Sequence, residues 1–326
     1  MRPRTVARVA LIAAVAVGLA GAAAAGQGST PNAAAGRAAY TPPRTPDGQP
    51  DISGMWLPNG GQAMETPTGE PWKPPPGANR GNGAAFDFGG AAAEAKVTGR
   101  RFTRDSRTMV VDPADGKIPL QPWAAAKRTE IVAKQDTVEF LDPRVRCLQS
   151  GVPRANLPVG YNTYQIIQIP GHVVLLYEWN HMTRMIPLDG RPHVDPKIRI
   201  ANGDSRGRWE GNTLVVDVTN FNDETWVVGH GAPPDGAPAS SISTGHGVMH
   251  SEALHVVERY TLVDPDTIHY EARIEDPKVF MQPWTISFDA FKRAPKDHQL
   301  FEYACHEGNQ RNVLLSTGVD ITKGDK

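Results

Sequence analysis

Only two cysteines, Cys147 and Cys305, occur in the 326 residues, which excludes the disulfide-dense small scaffolds and the cysteine-rich zinc modules. Neither sign of charge is in excess, since 34 basic side chains meet 35 acidic ones for a formal net charge of −1. The chain therefore carries no electrostatic footprint for nucleic acid and no run of like charges that would mark a polyelectrolyte tail. It also lacks a Walker loop, a dinucleotide-binding glycine fingerprint and an H-E-x-x-H helix. No organic cofactor is expected on those grounds. What the sequence has in quantity is Gly (32) and Pro (29). Together they are about one residue in five without a triplet period, which excludes collagen and predicts a folded core with irregular stretches around it.

The N-terminus reads as three arginines (Arg2, Arg4, Arg8), an apolar run over 9–19 and small residues over 21–26. This is the tripartite pattern of a secretory signal peptide, with Ala23-x-Ala25 as the cleavage site, so residues 1–25 are expected to be removed. Removal takes away three arginines and no acid, and the formal charge moves from −1 to −4. No later segment approaches the run of about 18 apolar residues that a spanning helix needs, so no membrane insertion is expected after processing. The predicted location is the periplasm or the exterior. In that oxidising space Cys147 and Cys305 are expected to form one disulfide.

Residues 26–105 are dominated by Ala, Gly, Pro and Thr, and are expected to form a long irregular arm anchored by Trp56 and Trp72. Residues 106–326 then read as one β-rich domain. A helix near 122–134 follows from Pro122 at a first-turn position and the run Ala124-Ala125-Ala126-Lys127, with Trp123 docking it. Beyond Cys147 the pattern changes to strands over 161–169, 173–179, 182–188, 208–218, 254–263, 267–274 and 284–291, with a last strand over 301–305. Pro170-Gly171, Glu210-Gly211-Asn212 and Asp264-Pro265-Asp266 supply the hairpin turns. Short strands at this spacing argue for a mainly β fold, an antiparallel barrel or sandwich. A calycin-like barrel is favoured because closure removes sheet edges and encloses a pocket.

Several constellations carry potential chemistry. Gly203-Asp204-Ser205-Arg206-Gly207 matches the G-x-S-x-G nucleophile elbow, but that elbow needs a strand-turn-helix setting and here the chain enters a hairpin. His250 and Glu252 stand two apart, on one face if the segment is a strand, and could transfer a proton. His255 would face the other way. Arg184, between apolar Met182 and Ile186, is expected to pair with Glu178 across a hairpin, and with His181 it could steady a developing oxyanion. Asp189 and Arg191 look like turn residues. Glu258 and Arg259 point to opposite faces, so they cannot both line one cavity and either could be solvated, and Glu302, Glu307 and Asn309 surround Cys305. Trp179, Trp209, Trp226 and Trp284 would wall a pocket, with Glu178 among its polar groups.

The leading expectation is an exported enzyme that performs elimination, isomerisation or hydrolysis on a small, partly apolar molecule through His250, Glu252, His181 and Arg184. One alternative is a non-catalytic small-molecule-binding protein of the lipocalin type, in which the ionisable groups are paired off. Another is a divalent-metal hydrolase that takes ligands from His181, His193, His250 and Glu252. The successive blocks TPDGQPDISGMW, GRWEGNTLVVDVTNFND, HSEALHVVERY and EYACHEGN resemble a large family of exported bacterial hypothetical proteins. That resemblance implies export and a shared fold, and it carries over no catalytic residues.

Overall fold

The computed structural model describes residues 40–59, 64–65, 108–134, 138–157, 163–229, 247–307 and 309. The expected signal segment, Trp72 and most of the 26–105 arm lie outside them. The strands are β1 (Gly54–Pro58), β2 (Val110–Asp112), β3 (Tyr164–Ile169), β4 (His172–Tyr177), β5 (Thr183–Pro187), β6 (Asp204–Glu210), β7 (Thr213–Thr219), β8 (Trp226–Val228), β9 (Val248–Met249), β10 (His255–Asp264), β11 (Thr267–Glu275) and β12 (Trp284–Arg293). One α-helix among the described residues, α1 (Pro122–Ala133), precedes β3.

Ten strands form a single antiparallel sheet in the order β5-β4-β3-β1-β12-β11-β10-β7-β6, with β2 added to β12, while β8 and β9 pair separately. Alternation decides which side of each strand turns inward. Val256, Glu258, Tyr260 and Leu262 on β10 are buried, as are Ile268, Tyr270, Ala272 and Ile274 on β11 and Val173, Leu175 and Tyr177 on β4. Breaks in register at Leu262/Asp264 and Ile268/His269 let the strands bend. The two ends of the order, β5 and β6, come together, so the sheet is nearly closed into a barrel.

The seam between β5 and β6 is explained by glycine. A methyl group on Gly207 would lie 2.6 Å from Ile186 Cγ2 and 2.7 Å from Leu188 Cδ2, so only a bare backbone allows this approach. Gly203 immediately precedes the same strand with φ +65°, and a Cβ there would meet the Thr219 carbonyl oxygen at 2.7 Å. Both glycines of the G-x-S-x-G string thus serve the strand and its seam. Ser205 sits buried within β6, and no helix follows it.

Three expectations are corrected. Residues 54–58, read as part of the irregular arm, form β1 between β3 and β12, because Trp56 is fully buried and caps its own N–H on the Ile52 carbonyl oxygen at 3.1 Å. Helix α1 docks through Ala124 and Ile131, whereas Trp123 is 52% exposed and donates its indole N–H to the Lys278 carbonyl oxygen at 3.0 Å. Residues 301–305 are not a strand. They run as a loop, held by the Cys147–Cys305 disulfide, which closes a separation of 158 residues. By chain-entropy reasoning such a link contributes about 5 kcal/mol. Among the described residues no helix is long and apolar enough to cross a membrane.

Gly207→Ala forces Ile186 and Leu188 away from β6, an overpacking change that should cost about 1–3 kcal/mol in urea unfolding. An unchanged unfolding midpoint would contradict a closely packed seam.

Candidate functional site

On the inner wall of the barrel a cluster of polar side chains gathers among apolar neighbours. Glu258 stands on β10 between Val256 and Leu262, fully buried, where an unpaired carboxylate would be prohibitively costly. Arg184 on β5, also buried, crosses the seam to it: its Nη2 donates to Glu258 Oε2, its Nε to Ser205 Oγ at 3.0 Å, and its Nη1 to the Tyr260 hydroxyl at 3.4 Å. The other carboxylate oxygen, Glu258 Oε1, accepts from Tyr270 OH at 2.8 Å, Tyr260 OH at 2.9 Å and Asn156 Nδ2 at 2.8 Å. Asn156 lies in a single turn of 3-10 helix, Arg154–Asn156, and its Oδ1 accepts from Tyr177 OH at 3.0 Å. Six elements thus contribute to one closed network.

Register explains the gathering. Tyr260 and Tyr270 are direct cross-strand partners on β10 and β11, and Glu258 faces small Ala272, which leaves room for the Tyr270 ring to lean over it. Burial, reinforced by the Glu258 carboxylate, pushes the phenols of Tyr260 and Tyr270 well above their ordinary range, so both remain donors. Burial works against the Arg184 charge, but Glu258 and the surrounding phenol oxygens outweigh it and hold the guanidinium protonated. Three donors on Oε1 and the Arg184 guanidinium on Oε2 thus compensate the buried Glu258 carboxylate from both sides.

One group beside it is different. Tyr164 on β3 is fully buried, with its ring 5.1 Å from that of Tyr177 and 4.5 Å from that of Phe291. Its hydroxyl has no hydrogen-bond partner among the described residues. Burial, with Tyr177 and Glu258 adding to it, raises the pKa of this phenol well above the usual value.

The residues expected to act together are dispersed. His250 is buried, with Nε2 2.8 Å from Thr225 Oγ1 and Nδ1 3.0 Å from the Ser251 carbonyl oxygen, while Glu252 is bound by Lys278 Nζ at 2.6 Å. The cause is Asp276, whose carboxylate takes the Ser251 N–H at 2.6 Å and its hydroxyl at 3.0 Å. The chain therefore turns over 251–254, and the period-two rule does not apply to His250 and Glu252. Arg184 pairs with Glu258 and not with Glu178, which instead accepts the Phe301 N–H at 3.3 Å and whose pKa is raised by burial. Of the pair expected on opposite faces, Glu258 is the fully buried one, whereas Arg259 on the outer face pairs with Glu210 at 2.9 Å. His181 is exposed in the turn before β5.

The indoles serve packing. Trp284 is fully buried against Phe280 at 5.4 Å, Trp179 lies between the Arg144 guanidinium at 3.8 Å and Tyr303 at 4.5 Å, and Trp209 packs partly buried against the core. Trp226, on β8, is also partly buried. His193 bridges Asp204 at 2.8 Å and Asp217 at 2.9 Å, and Asp217 also meets His255 at 3.1 Å. Among the described residues no group of three or more His, Cys, Asp or Glu is arranged to hold a metal ion.

The sequence reading missed Asn156, Tyr164, Tyr177, Tyr260 and Tyr270. A signal was present for two of them: Glu258-x-Tyr260 shares a face on β10, and counting back from the Asp264-Pro265-Asp266 turn brings Tyr270 opposite Tyr260. No family model matches the chain, and no curated protein or solved structure matches it either. Fold and site together define a nearly closed antiparallel barrel with an internally compensated polar cluster.

Burial holds the His250 imidazole below its ordinary value, against weaker upward pulls from the Ser251 carbonyl, Asp276 and Asp223. As pH falls, the unfolded chain takes up this proton before the folded one does. The stability contribution is complete above the ordinary imidazole value of about 6.5 and is lost as pH falls through the lower folded value. Thermal unfolding of the wild type should show this acid limb as pH falls through and below about 6.5, and His250→Gln should flatten it. An unchanged slope in the variant would contradict a buried neutral His250.

Proposed function

We propose that the protein is an exported small-molecule-binding protein of the calycin kind, which holds a partly apolar ligand inside the barrel through the Tyr164 hydroxyl. The observation that carries this reading is the contrast between two neighbouring sets of groups. Arg184, Glu258, Tyr260, Tyr270, Tyr177 and Asn156 satisfy one another, whereas the fully buried Tyr164 hydroxyl has no partner among the described residues. An unsatisfied buried hydroxyl costs about 1–3 kcal/mol, which a phenylalanine at this position would avoid. A ligand atom that donates to or accepts from this phenol offsets the cost and gives the group a purpose.

Catalysis by the expected dyad has less support, because His250 and Glu252 point to separate partners. Export is supported by the N-terminal pattern of basic, apolar and small residues and by the Cys147–Cys305 bridge, which suits an oxidising compartment. The ligand class follows from the walls: mostly aliphatic and aromatic, with one neutral polar handle, so a small neutral molecule suits the interior better than an ion.

Native mass spectrometry of the exported protein, followed by denaturing extraction, should recover a bound small molecule. Tyr164→Phe should weaken that molecule's affinity by about 2- to 10-fold, one net hydrogen bond, while leaving the free protein as stable or more so. Wild-type affinity in Tyr164→Phe together with lowered stability would make this phenol purely structural and overturn the reading.

A further inference from the structure

The outer wall carries a second constellation. On β11 and β12 the side chains facing away from the core include His269 and Glu271 on one strand and Ser287 and Asp289 on the other. His269 Nε2 lies 2.9 Å from Ser287 Oγ, and His269 Nδ1 lies 2.9 Å from Asp289 Oδ1. A carboxylate only accepts, so Nδ1 carries the proton and Nε2 offers its lone pair to the Ser287 hydroxyl. We propose that Ser287, His269 and Asp289 form a nucleophilic triad that cleaves small neutral esters on the outer face of the barrel.

The local register is built for this contact. Ile268 pairs with Phe291 but His269 pairs with Asp289, so β12 contains one extra residue, Ala290, at this point. Without that bulge His269 would stand opposite Ala290 and could not lie between Ser287 and Asp289. A bulge that re-aims a side chain is a recurrent device beside active sites. His269 and Asp289 are 20% and 38% exposed, and Ser287 is half-buried, so the three side chains lie at the surface of the sheet and not within its core.

The chemistry balances without a cofactor. Ser287 Oγ attacks the ester carbonyl carbon while its proton passes to His269 Nε2, with Asp289 keeping the imidazole oriented and compensating its charge. Collapse of the tetrahedral adduct breaks the bond to the alcohol oxygen, which leaves with the proton from His269. Water then adds to the acyl-serine, giving its proton to His269, and the returning proton restores the Ser287 hydroxyl as the carboxylic acid departs. Two features define the substrate. Glu271 stands directly opposite Ser287, with Arg259 opposite Glu271 on β10, so the face carries both signs and suits an uncharged ester. The Ser287 amide donates to the Met109 carbonyl oxygen at 2.8 Å and is not available to an oxyanion. Losing one oxyanion donor costs about 10²- to 10³-fold in rate, so activated esters are expected to react and amides are not.

The test uses an uncharged alkyl fluorophosphonate and p-nitrophenyl acetate on the folded full chain. Peptide mapping should place a single fluorophosphonate adduct on Ser287. Ser287→Ala should lose it, and His269→Gln should slow labelling and acetate release by about 100-fold or more. Asp289→Asn removes the carboxylate that orients the imidazole and should slow both rates by about 10-fold or more, which decides the matter if His269→Gln does not fold. An unlabelled wild type, adducts only elsewhere, or a labelling rate unchanged in folded His269→Gln or folded Asp289→Asn would each overturn the triad. None of these outcomes bears on ligand binding in the interior, which involves the other face of the sheet.

Discussion

The Arg184–Glu258 pair is the constraint on which the architecture depends. It lies on the inner wall, joins β5 to β10 and so spans the seam where the hydrogen-bonded order of strands runs out. Two buried charges are tolerated only when every remaining lone pair and proton is compensated. That requirement places Ser205 on β6, Tyr260 on β10, Tyr270 on β11 and Asn156 in its short turn. A slip of one residue in β5 or β10 would turn Arg184 or Glu258 to the other face, leaving its partner buried and alone. The pair therefore fixes register across a closure that no main-chain ladder holds.

Around this pair the molecule separates its polar chemistry by face. Inside, phenols, one amide and the Arg184 guanidinium compensate a carboxylate, and the neighbouring Tyr164 hydroxyl has no partner among the described residues. Outside, histidines meet carboxylates at half-exposed positions: His193 with Asp204 and Asp217, His255 with Asp217, and His269 with Asp289. The interior suits the recognition of a neutral guest, while the exterior is where groups that exchange protons with water are found. The disulfide belongs to neither set. It secures the C-terminal loop to the segment around Cys147, where the Arg144 guanidinium rests on Trp179.

Much of the fold was legible because hairpins announce themselves locally. Pro170-Gly171, Glu210-Gly211-Asn212 and Asp264-Pro265-Asp266 each separate two runs of alternating residues, and β3–β4, β6–β7 and β10–β11 follow. The mainly β, barrel-like architecture came from counting such runs. Strand β1 was not legible, because Gly54 and Pro58 bound a segment of only five residues inside a Gly- and Pro-rich stretch. The site was harder for a related reason. That Arg184 needs a buried partner follows from its apolar neighbours, but the choice of Glu258 over nearby Glu178 depends on how the sheet curls, across 74 positions of sequence. Likewise nothing near His250 shows that Asp276, 25 residues on from Ser251, will turn the chain and separate His250 from Glu252.

The central claim is that Arg184 and Glu258 act as one unit that closes the barrel. A double-mutant cycle by urea unfolding, with Arg184→Met, Glu258→Met and the pair together, tests it most directly. Each single change leaves an uncompensated buried charge and should cost about 3–5 kcal/mol. The double variant removes both charges and should be less destabilised than the sum by at least about 2 kcal/mol. Costs that add to within about 0.5 kcal/mol would mean that the two residues act independently, contradicting the account.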